Sequence, residues 1–372
     1  MEPTFYKTIE LKLQHPVRSD KLSLQFILSN NVNFNPSIAH IVDDFFLISF
    51  YTWRRKDKPI SSSYQLTGSV TDPYHQYYGG QNSPTWWRED EYWGTGYVLA
   101  TIINQNITII KYLGYNNYCF DMKLSSTNFG ISGTSNCGGG KIYIHNFVFV
   151  KNGNDVKLTS TYPDLKFEGV KLCKYNQVEE KNWSMYEYNE QMYISQWLYP
   201  HHIVLVKSKE NKCIKLKSKN VTVFQHIMNY YNKSVLFSLS TPAIPYYNLM
   251  MGVGHVKIVG DIVPPYTTAY RFVQNDYLKH PVSNMSYLMF FYVFDPITLD
   301  IVRISPGFYP PNITHGVVFA SGLTKHDNDY IISYGEGDAK MKFLFINNYA
   351  IDRLLSPVKY YDHGYEFIYL NE

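Results

Sequence analysis

The chain has 372 residues, a net charge of +3 and 45% apolar residues. That is apolar material for a large core. The balanced charge, with Arg54-Arg55-Lys56 as the densest cationic run, argues against nucleic acid as the main partner. Aromatic content is 17%, with 35 Tyr and 22 Phe, which suits pleated sheets better than helices.

The four cysteines (Cys119, Cys137, Cys173, Cys213) form no CxxC pair and no metal-ligand spacing, so they read as free thiols in a reducing compartment. The first residues have no basic-then-apolar signal pattern, and no segment approaches about 18 uninterrupted apolar residues. The expectation is a cytoplasmic protein with no membrane contact. The excess of Asn, Ile, Lys, Tyr and Phe fits an A/T-rich source, a large DNA virus or a microbial eukaryote, in which case a virion is a second location.

Short apolar runs bounded by Asn, Asp, Gly, Pro and Ser predict strands: Phe45–Tyr51, Lys141–Val150, His202–Val206, Tyr287–Phe294 and Tyr330–Tyr334. One helix is predicted over Thr222–Tyr231, with Thr222 as its cap.

A repeat runs through the chain: a polar turn, a short apolar strand, a second turn, and an apolar strand ending on a polar residue. Its copies start at Asn35-Pro36-Ser37-Ile38, Gly133-Thr134-Ser135-Asn136, Lys181-Asn182-Trp183-Ser184, Ser240-Thr241-Pro242-Ala243 and Ala320-Ser321-Gly322-Leu323. The first interval is too long for one sheet. Residues 55–130, with the segment Trp86-Trp87-Arg88-Glu89-Asp90-Glu91, are therefore read as an insertion. Five such units cannot be stable singly, and radial stacking buries their faces. The predicted fold is all-β: a single five-bladed β-propeller over residues 1–372, with an insertion after the first blade. Arg54, His145, His201, His255 and Asp338 close their copies and are expected to converge on the axis.

Other patterns carry less. Gly94-Thr95-Gly96 and Gly335-Glu336-Gly337 precede no helix and are not phosphate loops. His145, His201 and His202 have no spaced carboxylate partner, so no metal site and no cofactor are expected.

The copies resemble the five-bladed propeller glycosidases and glycan phosphorylases, and among them the β-mannoside phosphorylases of glycoside hydrolase family 130 and related mannosyltransferases. The likeness rests on Asn35-Pro36-Ser37, Lys181-Asn182-Trp183 with Pro200-His201, Thr241-Pro242-Ala243-Ile244 with Gly252-Val253-Gly254-His255, and Phe319–Leu323 with Ile332–Asp338. It implies an axial sugar pocket with Asp338 holding hydroxyls. It also implies that Lys181, His255 and Arg54 face an anion, either inorganic phosphate or a sugar phosphate. Asn182, His201, Thr241 and Tyr334 are the other implied substrate-binding residues, and Glu336 a second carboxylate beside Asp338.

The family carries a Glu-Asp-Pro-Arg motif at the start of its second blade. The second copy here reads Ser132-Gly133-Thr134-Ser135, with neither acid nor arginine. Glycosidic bond cleavage needs a proton donor for the leaving oxygen, and Asp90, Glu89 and Glu91 among the tryptophans are the expected substitutes. The reading is a phosphorylase or glycosyltransferase acting on a mannoside-like glycan. Its rivals are a glycan-binding or structural propeller with a degenerate site, and a protein-binding propeller with no sugar site.

Overall fold

The computed structural model describes residues 6–11, 32–55, 91–117, 119–127, 130–137, 141–150, 155–162, 166–168, 182–198, 201–207, 212–219, 221–232, 234–259, 285–313, 316–336, 340–361 and 364–370. The chain opens with β1 (Tyr6–Leu11). The first sheet follows as an antiparallel meander of β2 (Val32–Val42), β3 (Phe45–Arg55), β4 (Glu91–Ile103) and β5 (Asn106–Asn117). The second is β6 (Cys119–Thr127), β7 (Gly130–Cys137), β8 (Lys141–Val150) and β9 (Asp155–Tyr162). The third holds β10 (Lys166–Glu168), β11 (Ser184–Tyr188), β12 (Gln191–Leu198), β13 (His201–Lys207) and β14 (Lys212–Lys219), with β10 parallel to β14. Helix α1 (Thr222–Tyr230) leads to the fourth sheet.

That sheet is the largest, with β15 (Val235–Leu239), β16 (Ile244–Tyr246), β17 (Leu249–Val259), β18 (Met285–Phe294), β19 (Ile301–Ile304) and β20 (Gly307–Tyr309). The fifth contains β21 (Val318–His326), β22 (Asp329–Glu336) and β23 (Lys340–Asn347). Helix α2 (Asn348–Leu354) then returns the chain to the fourth sheet as β24 (Ser356–Pro357) and β25 (Phe367–Tyr369). The fifth sheet gains its fourth strand from β1, which pairs antiparallel with β23 from Tyr6↔Ile346 to Leu11↔Met341.

The five predicted apolar runs all lie inside strands. They lack polar alternation because both faces of each sheet are covered. In the first sheet, Ile38, Phe46 and Ile48 pack against Ile331, Phe343 and Phe345 of the fifth. The alternate residues Ala39, Leu47 and Leu99 pack against Met122, Leu124 and Phe147 of the second. Period-two alternation thus feeds two cores from one sheet. Ile144 meets Trp183, Met185 and Val204 of the third sheet, and the largest core joins the third, fourth and fifth sheets. The contacts close a ring: β2 touches β21 and β6, β6 touches β11, β12 touches β15, and β17 and β18 touch β21.

Hairpin turns follow the sequence. Asn104-Gln105 and Asn189-Glu190 each place both central residues at positive φ, the type I′ pattern that matches strand twist.

Three expectations need correction. Residues 91–117 are the two outer strands of the first sheet, and 119–127 begin the second, so these parts of the expected insertion are regular sheet. Residues 56–90 lie outside the described residues. The second repeat copy was placed one strand late: Gly133–Asn136 lies on β7, whereas the first strand of that sheet is β6. Helix α1 forms as expected, but Val221 is its cap residue and no side chain caps it.

Candidate functional site

Three of the five first strands lose register near their start, and the other two have a left-handed residue or a break there. In β2 the shift falls between Phe34 and Ser37, with Asn35 at φ 46. In β6 it falls between Phe120 and Lys123, with Asp121 at φ 52. Asn182, at φ 63, stands just before β11. The fourth sheet splits its first strand into β15 and β16 around Ser240–Ala243, both pieces pairing with β17. In β21 the shift surrounds Ser321. Such bulges turn side chains out of the pleat and toward a new direction. Asn and Asp are the side chains that best tolerate the left-handed region there.

The register confirms the equivalence. Ser37 faces Ser49, Lys123 faces Thr134, Ser184 faces Ser195 and Gly322 faces Ser333. The counterpart of Asn35-Pro36-Ser37 and Asn182-Trp183-Ser184 is therefore Asp121-Met122-Lys123. The place where an acid and a cation were missed holds Phe120-Asp121-Met122-Lys123. The signal was a polar residue, then Pro or a bulky apolar residue, then Ser or Lys, and it is short enough to overlook.

Four sheets meet at these residues. Asn35 donates from Nδ2 to Asp121 Oδ1 at 3.2 Å. Gly335 backs Asn35 so closely that a Cβ there would collide with the Asn35 amide. Lys123 is 1% exposed, and its Nζ has no hydrogen-bond partner among the described residues. It sits 4.8 Å from the centre of the Phe319 ring. Burial pulls its pKa down to about 8, opposed by the charge of Asp121. The buried His255 ring lies 5.2 Å from the Phe319 ring and 5.5 Å from Tyr287. Its Nδ1 is 2.8 Å from Ser240 Oγ. Burial, and then the Lys123 charge, push its pKa down to about 3, so it is a neutral imidazole at pH 7. A neutral His255 carries no charge with which to meet an anion, and the cation beside it is Lys123.

The remaining sequence candidates stand elsewhere or in other roles. His201 packs between the third and fourth sheets, edge-on to Phe294, with Nδ1 donating to Leu299 O at 3.1 Å. Thr241 Oγ1 accepts from Val253 N and donates to Pro242 O, each at 2.9 Å. The Thr241 carbonyl accepts from Ser184 Oγ, joining the third and fourth sheets. Tyr334 is buried, and burial with the nearby Glu336 charge raises its hydroxyl pKa. Glu336 Oε2 is 2.5 Å from Lys342 Nζ, which also donates to Asn312 O at 2.9 Å. Asn182 holds the bulge position of the third sheet.

Asp338, Asp90 and Lys181 lie outside the described residues, as does the side chain of Arg54. His145 and His201 stand on third strands of their sheets, whereas Arg54 and His255 stand on second strands, so they do not hold matching places. His145 is buried against Ser135 Oγ at 2.6 Å, and burial lowers its pKa to about 4. Among the described residues no cluster of His, Cys, Asp and Glu could hold a metal ion.

No family model and no curated protein sequence matches the chain. Solved structures do. A putative glycoside hydrolase from Parabacteroides distasonis is 15% identical with a TM-score of 0.52, covering 87% of this chain and 88% of its own. A putative glycosidase from Bacteroides thetaiotaomicron is 13% identical with a TM-score of 0.52, over 86% and 88%. A GDP-Man-dependent mannosyltransferase from Leishmania mexicana is 10% identical with a TM-score of 0.50, over 93% and 91%. At these identities the likeness is one of fold: the chain is built like glycoside hydrolases and a mannosyltransferase, over nearly its whole length.

Proposed function

We propose that the five sheets are the blades of one β-propeller, and that its axial pocket acts on a mannoside-like glycan by phosphorolysis or glycosyl transfer. The observation that carries this reading is the meeting of Asp121, Asn35, Lys123 and His255. Asp121 is the proton donor for the leaving oxygen, positioned by Asn35. This replaces Asp90 as the first choice for that role, while Asp338 supplies hydroxyl contacts.

Lys123 supports an anionic co-substrate. A buried ammonium without a hydrogen-bond partner costs several kcal/mol, on the order estimated for unpaired buried ions. A phosphate oxygen would satisfy it through a charge-assisted bond. The neutral His255 offers a hydrogen bond beside it, and Arg54 and Lys181 are the further cations proposed from the sequence.

The test is turnover. Manno-oligosaccharides are incubated with inorganic phosphate, and separately with mannose 1-phosphate or GDP-mannose, and products are followed by chromatography. Product that disappears in Asp121→Asn supports the reading. Absence of product with every donor, or an unchanged rate in Asp121→Asn, overturns it.

A binding-only reading has one observation in its favour. Of the Glu-Asp-Pro-Arg motif only the acid is retained, since Phe120, Met122 and Lys123 replace the rest. It predicts calorimetric binding of the same glycans without product.

A further inference from the structure

The first strands have two ends. Asp121, Lys123 and Asn35 stand where β6 and β2 begin. At about 3.3 Å per residue, the stretch from Asp121 to Thr127 runs roughly 20 Å along β6, to a second opening. A cavity of about 720 Å³ lies there, within the usual size of small-ligand sites. It is framed by the ends of β2 and β6 and by the β11–β12 and β16–β17 turns. Asp121, Lys123, Asn35 and His255 are not among its lining residues.

Its chemistry differs from that of the axial cluster. Tyr188 and Tyr247 bring aromatic rings from two neighbouring turns, and Glu187, Asn189 and Asn248 bring a carboxylate and two amides. Among the described residues no lysine or arginine lines it. The one histidine, His40, already meets the Asp43 carbonyl through Nε2 at 2.6 Å. A phosphate would find no cation among the described lining residues.

Tyr247 is held in place from behind. It is 71% exposed, yet its backbone sits at φ 53, in the left-handed region. A non-glycine residue there costs on the order of 1 kcal/mol or more, and such strain collects at ligand sites. Its hydroxyl donates to Asp352 Oδ2 at 2.9 Å, and the Tyr246 hydroxyl donates to Asp352 Oδ1 at 2.7 Å. Arg303 lies 3.5 Å from the same carboxylate. The ring is thus fixed and left uncovered at the rim of a cavity. A fixed aromatic face suits the C–H face of a sugar ring, and nearby carboxylate and amide groups suit its hydroxyls.

We infer that this second opening binds a neutral oligosaccharide, with Tyr247 as the platform and Asn189 and Asn248 pairing hydroxyls. The inference does not rest on chemistry at the axial cluster.

Calorimetric titration tests it, with mannotetraose, cellotetraose and galactotetraose as probes and mannose 1-phosphate as the charged control. At least one neutral tetramer binds the wild type. Its affinity is unchanged in Asp121→Asn and falls by about tenfold or more in Tyr247→Ala, the loss expected of a central contact residue. Tyr247→Trp restores it, and mannose 1-phosphate does not compete. Tyr247 is exposed, so an unaltered melting temperature for Tyr247→Ala separates lost contact from lost fold. The inference is overturned if no tetramer binds, if Tyr247→Ala loses none of the binding sites counted for the wild type, or if Asp121→Asn weakens the same site as much.

Discussion

Asn35 and Asp121 head two bulges on neighbouring first strands, and one hydrogen bond of 3.2 Å links them across the seam between sheets. Both occupy left-handed backbone, which aims their side chains at each other instead of along the pleat. The acid is therefore positioned by the fold before any substrate arrives.

Replacing Asp121 by Asn keeps a residue that tolerates the same backbone and removes the carboxyl group. Turnover of a manno-oligosaccharide is expected to fall by about 10²–10⁴-fold, the range of a lost general acid. Asn35→Ala removes the positioning bond, adds strain at a left-handed position, and is expected to lower the rate less. Gly335→Ala should mimic Asn35→Ala by pushing the amide aside. Initial rates, beside circular dichroism showing retained sheet, check all three.

Lys123 is expected to weaken the fold at neutral pH. Its pKa is about 8 in the folded chain and 10.5 unfolded. Below pH 8 it is charged in both states and its burial penalty is full. As pH rises from 8 to 10.5 the unfolded chain binds more protons, so stability increases, by about 3 kcal/mol in all. Lys123→Met should be more stable than wild type at pH 7, with the gap closing by pH 10.5. Buried tyrosines pull the other way above pH 10, so the difference between the two proteins in urea titrations is the quantity to measure.

The two buried histidines act on the acid side. His145 and His255 have folded pKa values of about 4 and 3. Their contribution is full above pH 6.5 and is lost as pH falls below it, because the unfolded chain takes up protons first. Between pH 6.5 and 5 each should cost about 2 kcal/mol. His145→Gln should remove one such share and flatten the profile, as read by urea midpoints at several pH values.

Glu336→Gln should lower the melting temperature whatever it does to activity. It leaves the Lys342 ammonium buried and uncompensated, a change that costs about 3–5 kcal/mol. Adding Lys342→Met should recover part of the loss. Scanning calorimetry of the single and double variants measures this.

The sequence made much of the sheet structure legible because both faces of each sheet are buried. Segments such as Phe45–Tyr51 and Tyr287–Phe294 then read as unbroken apolar runs. His255 was picked out because its hairpin repeats the common pattern. The second sheet was misread because β6 is polar: Asp121, Lys123, Ser125 and Ser126 break its apolar run, while Gly138-Gly139-Gly140 advertises a turn one strand later. β4 and β5 read as part of an insertion because the first repeat interval is longer than the later ones. The partner of β1 could not be read locally, since the pattern of Tyr6–Leu11 says only that it is a strand.

That last pairing orders events on the ribosome. Tyr6–Leu11 is made before its partner Met341–Ile346, with strands β2 to β22 lying between them in the chain. Strand β1 must wait, unpaired, until β23 has been made. Closing so long a loop is slow, and a waiting strand edge can pair with a neighbouring chain. Lys7 and Glu10 in that strand place charges on it during the wait, as edge strands do when they must not find the wrong partner.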